Sequence, residues 1–206
     1  MKRIFIANPK GGSGKTTIAI NLAGYYATHK FRTAIIETDS QRSSFSWLEQ
    51  RPKSLPVIKG AFIEDFQGEI PFDVEVVIID TPAASNPEQF AKILNKNDTL
   101  IMPVLPSPID TQAAGQFIFQ LISKNKLSTT DIKFGFVANR TRTYSKSYQA
   151  LCKFVNNTKI PLVASLRDSV NYVHTYNGGR SIFDSSLKSY EKDFETWKSL
   201  IDWLET

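Results

Sequence analysis

The run Asn8-Pro9-Lys10-Gly11-Gly12-Ser13-Gly14-Lys15-Thr16-Thr17 leaves a chain few folds to choose from. The apolar stretch 3–7 (RIFIA) precedes it, and a stretch of helical character runs from about Thr16 to His29. A strand, a glycine-rich turn and a helix in that order make a phosphate cradle. Glycines let backbone N–H groups close around phosphate oxygens, and the helix N-terminus adds a favourable dipole. Gly11, Gly12, Ser13, Gly14, Lys15, Thr16 and Thr17 are therefore the expected nucleotide-binding residues. Lys15 is expected to reach the β- and γ-phosphates, and the Thr16 hydroxyl to ligate Mg2+. The run departs from G-x-x-x-x-G-K-[ST] at its first position, where Pro9 stands, and it carries an additional lysine, Lys10.

The alternation continues downstream. Apolar runs at 33–39 (TAIIETD), 74–82 (VEVVIIDTP), 98–104 (DTLIMPV), 133–140 (KFGFVANR) and 160–165 (IPLVAS) are separated by helix-length segments. That spacing predicts parallel βαβ units with right-handed crossovers, and near-continuous apolar strands predict a sheet covered on both sides. The expected fold class is α/β, a mostly parallel twisted sheet with helices on both faces, with residues 1–206 as one domain. Residues 50–60 and 103–110 read as proline-rich loops. Near the C-terminus Leu187, Tyr190, Phe194, Trp197, Ile201 and Leu204 recur at helical spacing, predicting an amphipathic helix packed on the sheet. Its polar face is assigned Glu191, Asp193, Glu195, Asp202 and Glu205, whereas a membrane-lying helix wants Lys and Arg there.

Two carboxylates fall where the cradle needs them. Asp39 lies just past the second strand, at the edge where open α/β sheets bind ligands, and can polarise a water or hold a metal's hydration shell. Asp80 ends the run VVIID, a Walker B pattern whose Asp meets Mg2+ directly or through water. The catalytic candidates are Lys10, Lys15 and Asp39, and the metal candidates are Thr16, Asp39 and Asp80. No apolar run approaches the ~20 residues of a membrane span. The first ten residues lack the apolar core of a signal peptide, so a cytoplasmic location and no membrane partner are expected. The single cysteine, Cys152, excludes an internal disulfide, and its flanks predict a buried helical thiol. The net charge of +5 is uneven: residues 124–180 hold ten Lys and Arg against two Asp and Glu. Such a block fits a polyanion partner or an ordinary solvated basic surface.

Lys10 to Thr16 match without a gap the K-G-G-x-G-K-[ST] loop of the ParA/MinD family of deviant Walker ATPases, which the chain resembles over nearly its whole length. TDSQ (38–41) resembles the end of the family's D-x-D-P-Q, and 103–115 resembles the region after its fourth strand. Residues 137–140 and 166–184 are similar to small single-domain members such as the ParF and McdA proteins. The resemblance implies a P-loop NTPase of the deviant Walker type with ATP and Mg2+ as ligands. It also implies an ATP-sandwich homodimer in which Lys10 crosses to the γ-phosphate on the partner, a cation aimed at charge that grows in the transition state. Asp39 then corresponds to the second acid of the motif, with a role in water positioning, and Asn139 to the asparagine that hydrogen-bonds adenine. The guanine-reading N-K-x-D pattern is not met by Asn139-Arg140-Thr141-Arg142. Two departures bear on hydrolysis more than on binding. Glu37 replaces the usual Asp with a longer arm, and Ser40 replaces Pro, which frees φ and predicts a looser loop.

The leading expectation is thus a slow, partner-stimulated ATP hydrolase that positions or partitions a cargo: a plasmid, a chromosome region or a protein organelle. The ATP-bound dimer is expected to hold DNA non-specifically through Arg140, Arg142, Lys146, Lys153, Lys159, Arg167 and Arg180, which gives a nucleoid-associated location. A cargo adaptor or ParB-like activator completes the cycle. The alternatives are a MinD-like membrane-associated ATPase, which the acidic C-terminal helix disfavours, and a metabolic relative. An iron-protein reductase needs more than one cysteine per subunit. A dethiobiotin-synthetase-type enzyme needs a carboxylate-binding loop that the sequence does not display.

Overall fold

The computed structural model describes residues 1–83, 86–125, 132–185 and 188–206. In chain order the elements are β1 (Lys2–Ile6), α1 (Lys15–Thr28), β2 (Thr33–Glu37), α2 (Ser43–Glu49), β3 (Ile58–Phe62), β4 (Val76–Asp80), α3 (Pro87–Ile93), β5 (Thr99–Val104), α4 (Pro108–Asn125), β6 (Lys133–Thr141), α5 (Lys146–Asn156), β7 (Leu162–Arg167), α6 (Asn171–Asn177) and α7 (Glu191–Glu205). The strands hydrogen-bond in the order β3-β2-β4-β1-β5-β6-β7, and the neighbouring pairs are parallel. Ile6 and Glu37 both pair in register with Asp80, so β1, β2 and β4 end level. This puts the glycine loop, Asp39 and Asp80 at one edge of the sheet.

The expected α/β class and the six apolar strands are present. The seventh, β3, overlaps the segment assigned to a proline-rich loop. Its sequence, IKGAF, is half-exposed at the sheet margin, so it lacks the continuous apolar signal of a strand covered on both sides. Gly60 serves packing here: a Cβ at that position would lie 2.1 Å from Leu48 of α2.

Alternating side chains feed two cores. Phe5, Val77, Ile79, Leu100, Met102 and Phe136 pack against Phe90 of α3, Phe117 and Leu121 of α4, and Leu151 and Val155 of α5. On the opposite face Ile4, Ile6, Ile35, Ile78, Ile101 and Val137 meet Ile18 and Leu22 of α1 and Trp197, Leu200 and Leu204 of α7. The C-terminal helix therefore docks on the sheet as expected, with Tyr190 just before its first turn. Leu187 lies outside the described residues. Two sequence assignments change. Asp193 is fully buried, not on the polar face; it accepts hydrogen bonds from Ser169 Oγ (3.2 Å) and Asn171 Nδ2 (2.6 Å), and Arg167 Nε stands 3.4 Å away. Cys152 is half-buried because α5 turns Leu151 and Val155, not Cys152, fully inward.

A strap after α6 closes the second core. Arg51 makes two 2.8 Å hydrogen bonds to the buried Asp184 carboxylate, and Trp47 Nε1 donates to the Arg180 carbonyl at 3.0 Å. Asn21 of α1 accepts the Ile182 N–H at 2.8 Å. Because Trp197 is wholly buried beneath α1 and the sheet, Trp197→Ala is expected to lower unfolding free energy by about 3–5 kcal/mol. Urea denaturation followed by circular dichroism checks this, and a loss below about 1 kcal/mol would show that α7 adds little to the core.

Candidate functional site

The loop between β1 and α1 is fastened from below before it curls. Asn8, almost fully buried, donates from Nδ2 to the Pro103 carbonyl at 2.5 Å and accepts the Lys10 N–H at 2.6 Å. The chain then passes Gly12 and Gly14 at φ 77° and 95°, a region L side chains rarely adopt. Gly14 is the N-cap of α1 and has a second reason to be glycine: a Cβ there would lie 2.0 Å from Asn139 Nδ2. Asn139, at the end of β6, uses that amide to donate to the Ser13 carbonyl at 2.8 Å, while its Oδ1 accepts the Arg140 N–H at 2.9 Å. The residue expected to meet adenine also clamps the phosphate loop. Ser13 Oγ is buried with no hydrogen-bond partner, as suits a hydroxyl kept for a ligand.

The two loop lysines are committed differently. Lys15 is buried, and its Nζ donates to the Asn8 and Lys10 carbonyls, each at 3.3 Å. Burial pushes its pKa down, and Asp80, Asp39 and Glu37 oppose that shift. Lys10 is half-buried and makes no ion pair with any described residue.

Asp80 and Glu37 are both buried, level on adjacent strands. Both Asp80 carboxylate oxygens lack a hydrogen-bond partner. Burial raises the Asp80 pKa, Glu37 raises it further, and the Thr16 hydroxyl, Lys15 and Ser44 pull it back. Two buried hard oxygens beside the Thr16 hydroxyl fit Mg2+, which relies on one or two carboxylates plus substrate phosphates instead of a protein cage. Among the described residues no cluster of three His, Cys, Asp or Glu side chains forms such a cage. Asp39 sits on the β2–α2 loop with Oδ1 accepting the Gln41 N–H at 3.0 Å. Glu37 holds that loop: Oε1 accepts the Asp39 N–H at 2.9 Å, and Oε2 accepts Ser44 N–H at 2.8 Å and Ser44 Oγ at 2.6 Å.

A cavity of about 220 Å³ adjoins the start of α1, lined by Thr17, Asn139, Arg140, Asp168, Ser169, Tyr172, Val173 and Tyr176. A larger one, about 340 Å³, lies under Phe66 and Phe90 with Glu64, Asp65 and Lys92 on its wall. Of the basic candidates, Arg142, Lys146, Lys153 and Lys159 are exposed around α5, Arg140 is exposed at the rim of the smaller cavity, Arg180 is exposed on the strap, and Arg167 is half-buried facing Asp193. Sequence reasoning missed Asn8, Ser44, Tyr172 and Tyr176 as parts of the site. A polar residue directly after an apolar strand was the available signal for Asn8, and no local spacing marks the tyrosines.

The sequence profile of the CobQ/CobB/MinD/ParA nucleotide binding domain matches residues 4–182. Maintenance of carboxysome distribution protein A of Halothiobacillus neapolitanus is 26% identical over 185 residues, covering 86% of this chain and 85% of that protein. A plasmid partition protein of Borrelia burgdorferi B31, solved with AMPPNP, superposes with a TM-score of 0.73 at 15% identity, covering 99% of this chain and 98% of that one. A Cyanothece McdA variant solved as its ATP complex does so with a TM-score of 0.72 at 19% identity, covering 97% and 96%. These structural likenesses speak to the fold.

Asn139→Ala removes a loop clamp, so it is expected to weaken ADP and inorganic pyrophosphate alike, by about tenfold. Isothermal titration calorimetry measures both. A loss confined to ADP would instead support base reading by Asn139.

Proposed function

Since this chain belongs to the CobQ/CobB/MinD/ParA nucleotide-binding family, we propose that it is a ParA-like ATPase that forms an ATP-sandwich dimer, holds DNA without sequence preference and positions a cargo. The contrast between its two loop lysines carries the reading. Lys15 is buried within its own loop, while Lys10, on the same loop, has no charge partner among the described residues. A cation left uncommitted beside a phosphate cradle is available to a nucleotide held by a second subunit, where it acts as an arginine finger does.

In this scheme the loop N–H groups and Lys15 hold the phosphates, and the base enters the cavity beside Thr17. Asp80 and Thr16 would hold Mg2+, which would supply charge neutralisation at the transferring phosphoryl group. Asp39 accepts a hydrogen bond from the attacking water. Arg142, Lys146, Lys153 and Lys159 around α5 provide phosphate contacts that dimerisation doubles. The apolar face of α7 is consumed by the core, which favours nucleic acid over a lipid surface as the matrix. An adaptor protein on the cargo stimulates hydrolysis and releases the dimer, within the cytoplasm and on the nucleoid. The name of the Halothiobacillus relative places a protein organelle among the candidate cargoes, beside plasmids. ATP turnover without an added small-molecule substrate separates this reading from a metabolic synthetase.

Lys10→Ala is expected to keep ATP binding within about tenfold while losing ATP-dependent dimerisation and hydrolysis, whereas Lys15→Ala loses nucleotide affinity directly. Light scattering coupled to chromatography, with phosphate release, reads both; a Lys10→Ala protein that dimerises and turns over like its parent sinks the sandwich. Fluorescence anisotropy on random duplex DNA is expected to show at least about tenfold tighter binding with a slowly hydrolysed ATP analogue than with ADP, with a steep salt dependence. Equal affinity in the two states would remove the nucleotide switch.

A further inference from the structure

Two tyrosines in the wall of the cavity beside Thr17 are tethered in different directions. The Tyr172 hydroxyl accepts from Trp197 Nε1 at 2.9 Å, which ties it to α7. The Tyr176 hydroxyl donates to the Ser43 carbonyl at 2.9 Å, at the first residue of α2. The next residue, Ser44, gives both its N–H and its hydroxyl to Glu37 Oε2, and the other Glu37 oxygen accepts the Asp39 N–H. One carboxylate therefore closes both ends of the 39–43 loop, and Tyr176 holds its outer end from inside the cavity.

The loop needs such a bracket. Ser40 imposes no fixed φ, and Arg42 stands in the left-handed region at φ 52°, a conformation unfavourable for a residue other than glycine. Arg42 is steadied by lying over the Phe45 and Phe62 rings, 4.8 and 4.9 Å from their centroids. The Tyr176 pKa is raised, first by burial and then by Glu37 and Asp80.

We propose that Tyr176 is a positioning residue: a base filling the cavity fixes its ring and, through Ser43, Ser44 and Glu37, sets the loop that carries Asp39. The phosphates engage the glycine loop, and their Mg2+ reaches this loop only through Asp80, without the cavity wall. The proposal rests on the nucleotide-binding part of the proposed function and not on dimerisation or DNA.

Hydrogen–deuterium exchange of the full chain, read on peptides covering residues 38–47, tests it with Mg2+ and saturating ADP or inorganic pyrophosphate. ADP is expected to slow exchange in this loop about fivefold, and pyrophosphate less than twofold. Tyr176→Phe keeps the ring in the wall and, compared at saturating ADP, is expected to lose the ADP-specific slowing. Tyr172→Phe removes the same chemical group from the same cavity and is expected to keep the slowing. The idea is overturned if ADP and pyrophosphate protect the loop equally, or if the two Phe variants behave alike. A parent chain that neither dimerises nor binds DNA would defeat the positioning-ATPase reading, yet the exchange experiment, which needs only bound ADP, would still decide the role of Tyr176.

Discussion

Glu37 and Asp80 end adjacent parallel strands in register, both buried, with the Lys15 ammonium as the nearby cation. Two carboxylates in that position repel one another and lose hydration, an arrangement that persists only where hydrogen bonds or cations compensate. Glu37 is compensated by backbone and hydroxyl donors from the β2–α2 loop, and this fixes where that loop runs. The Asp80 pKa is raised by burial and by Glu37, and the Thr16 hydroxyl, Lys15 and Ser44 offset part of that. The loop that presents Asp39, the start of α2 and the depth of Lys15 all follow from how this pair is accommodated.

The parts of this site that sequence reveals are those encoded by neighbours along the chain. Glycines at 11, 12 and 14, a lysine at 15 and an Asp closing an apolar run have local spacing, and the structure brings them to one edge of the sheet. The helical period of Phe194, Trp197, Ile201 and Leu204 likewise exposed α7. What stayed hidden joins residues far apart in sequence. The Asn139 clamp on Ser13 and the Tyr176 contact with Ser43 span 126 and 133 residues, and no periodicity encodes either. Asp193 looked like surface charge because its partners Ser169 and Asn171 come from the segment after β7. Strand β3 was obscured because a half-exposed margin strand, with Gly60 making room for Leu48, carries too few apolar residues to announce itself.

Charge is sorted around the sheet more sharply than the whole-chain balance suggests. Residues 60–91 contain seven acids and no Lys or Arg, and they run from the end of β3 through β4 into α3, while the β3 margin itself also carries Lys59 and follows Arg51 and Lys53. The bases around α5 lie toward the opposite margin, by β6 and β7. Arg167, which reads as part of that basic surface in the sequence, is half-buried and faces Asp193.

Strand β1 pairs with β4 through Lys2–Val76 and with β5 through Ile4–Thr99, and not with β2 or β3, which stand nearer to it along the chain. Loop closures of that length precede any gain from pairing, which slows their formation. The support beneath the glycine loop is more remote still: Asn8 leans on the Pro103 carbonyl, and Asn139 reaches it from β6. On a ribosome, where synthesis runs at about 5–20 residues per second, the cradle written near the start of the chain must wait for the segment beyond Asn139 to emerge. A feature legible first in the sequence is thereby among the last to take shape, and until then its buried Lys15 has no interior to be buried in.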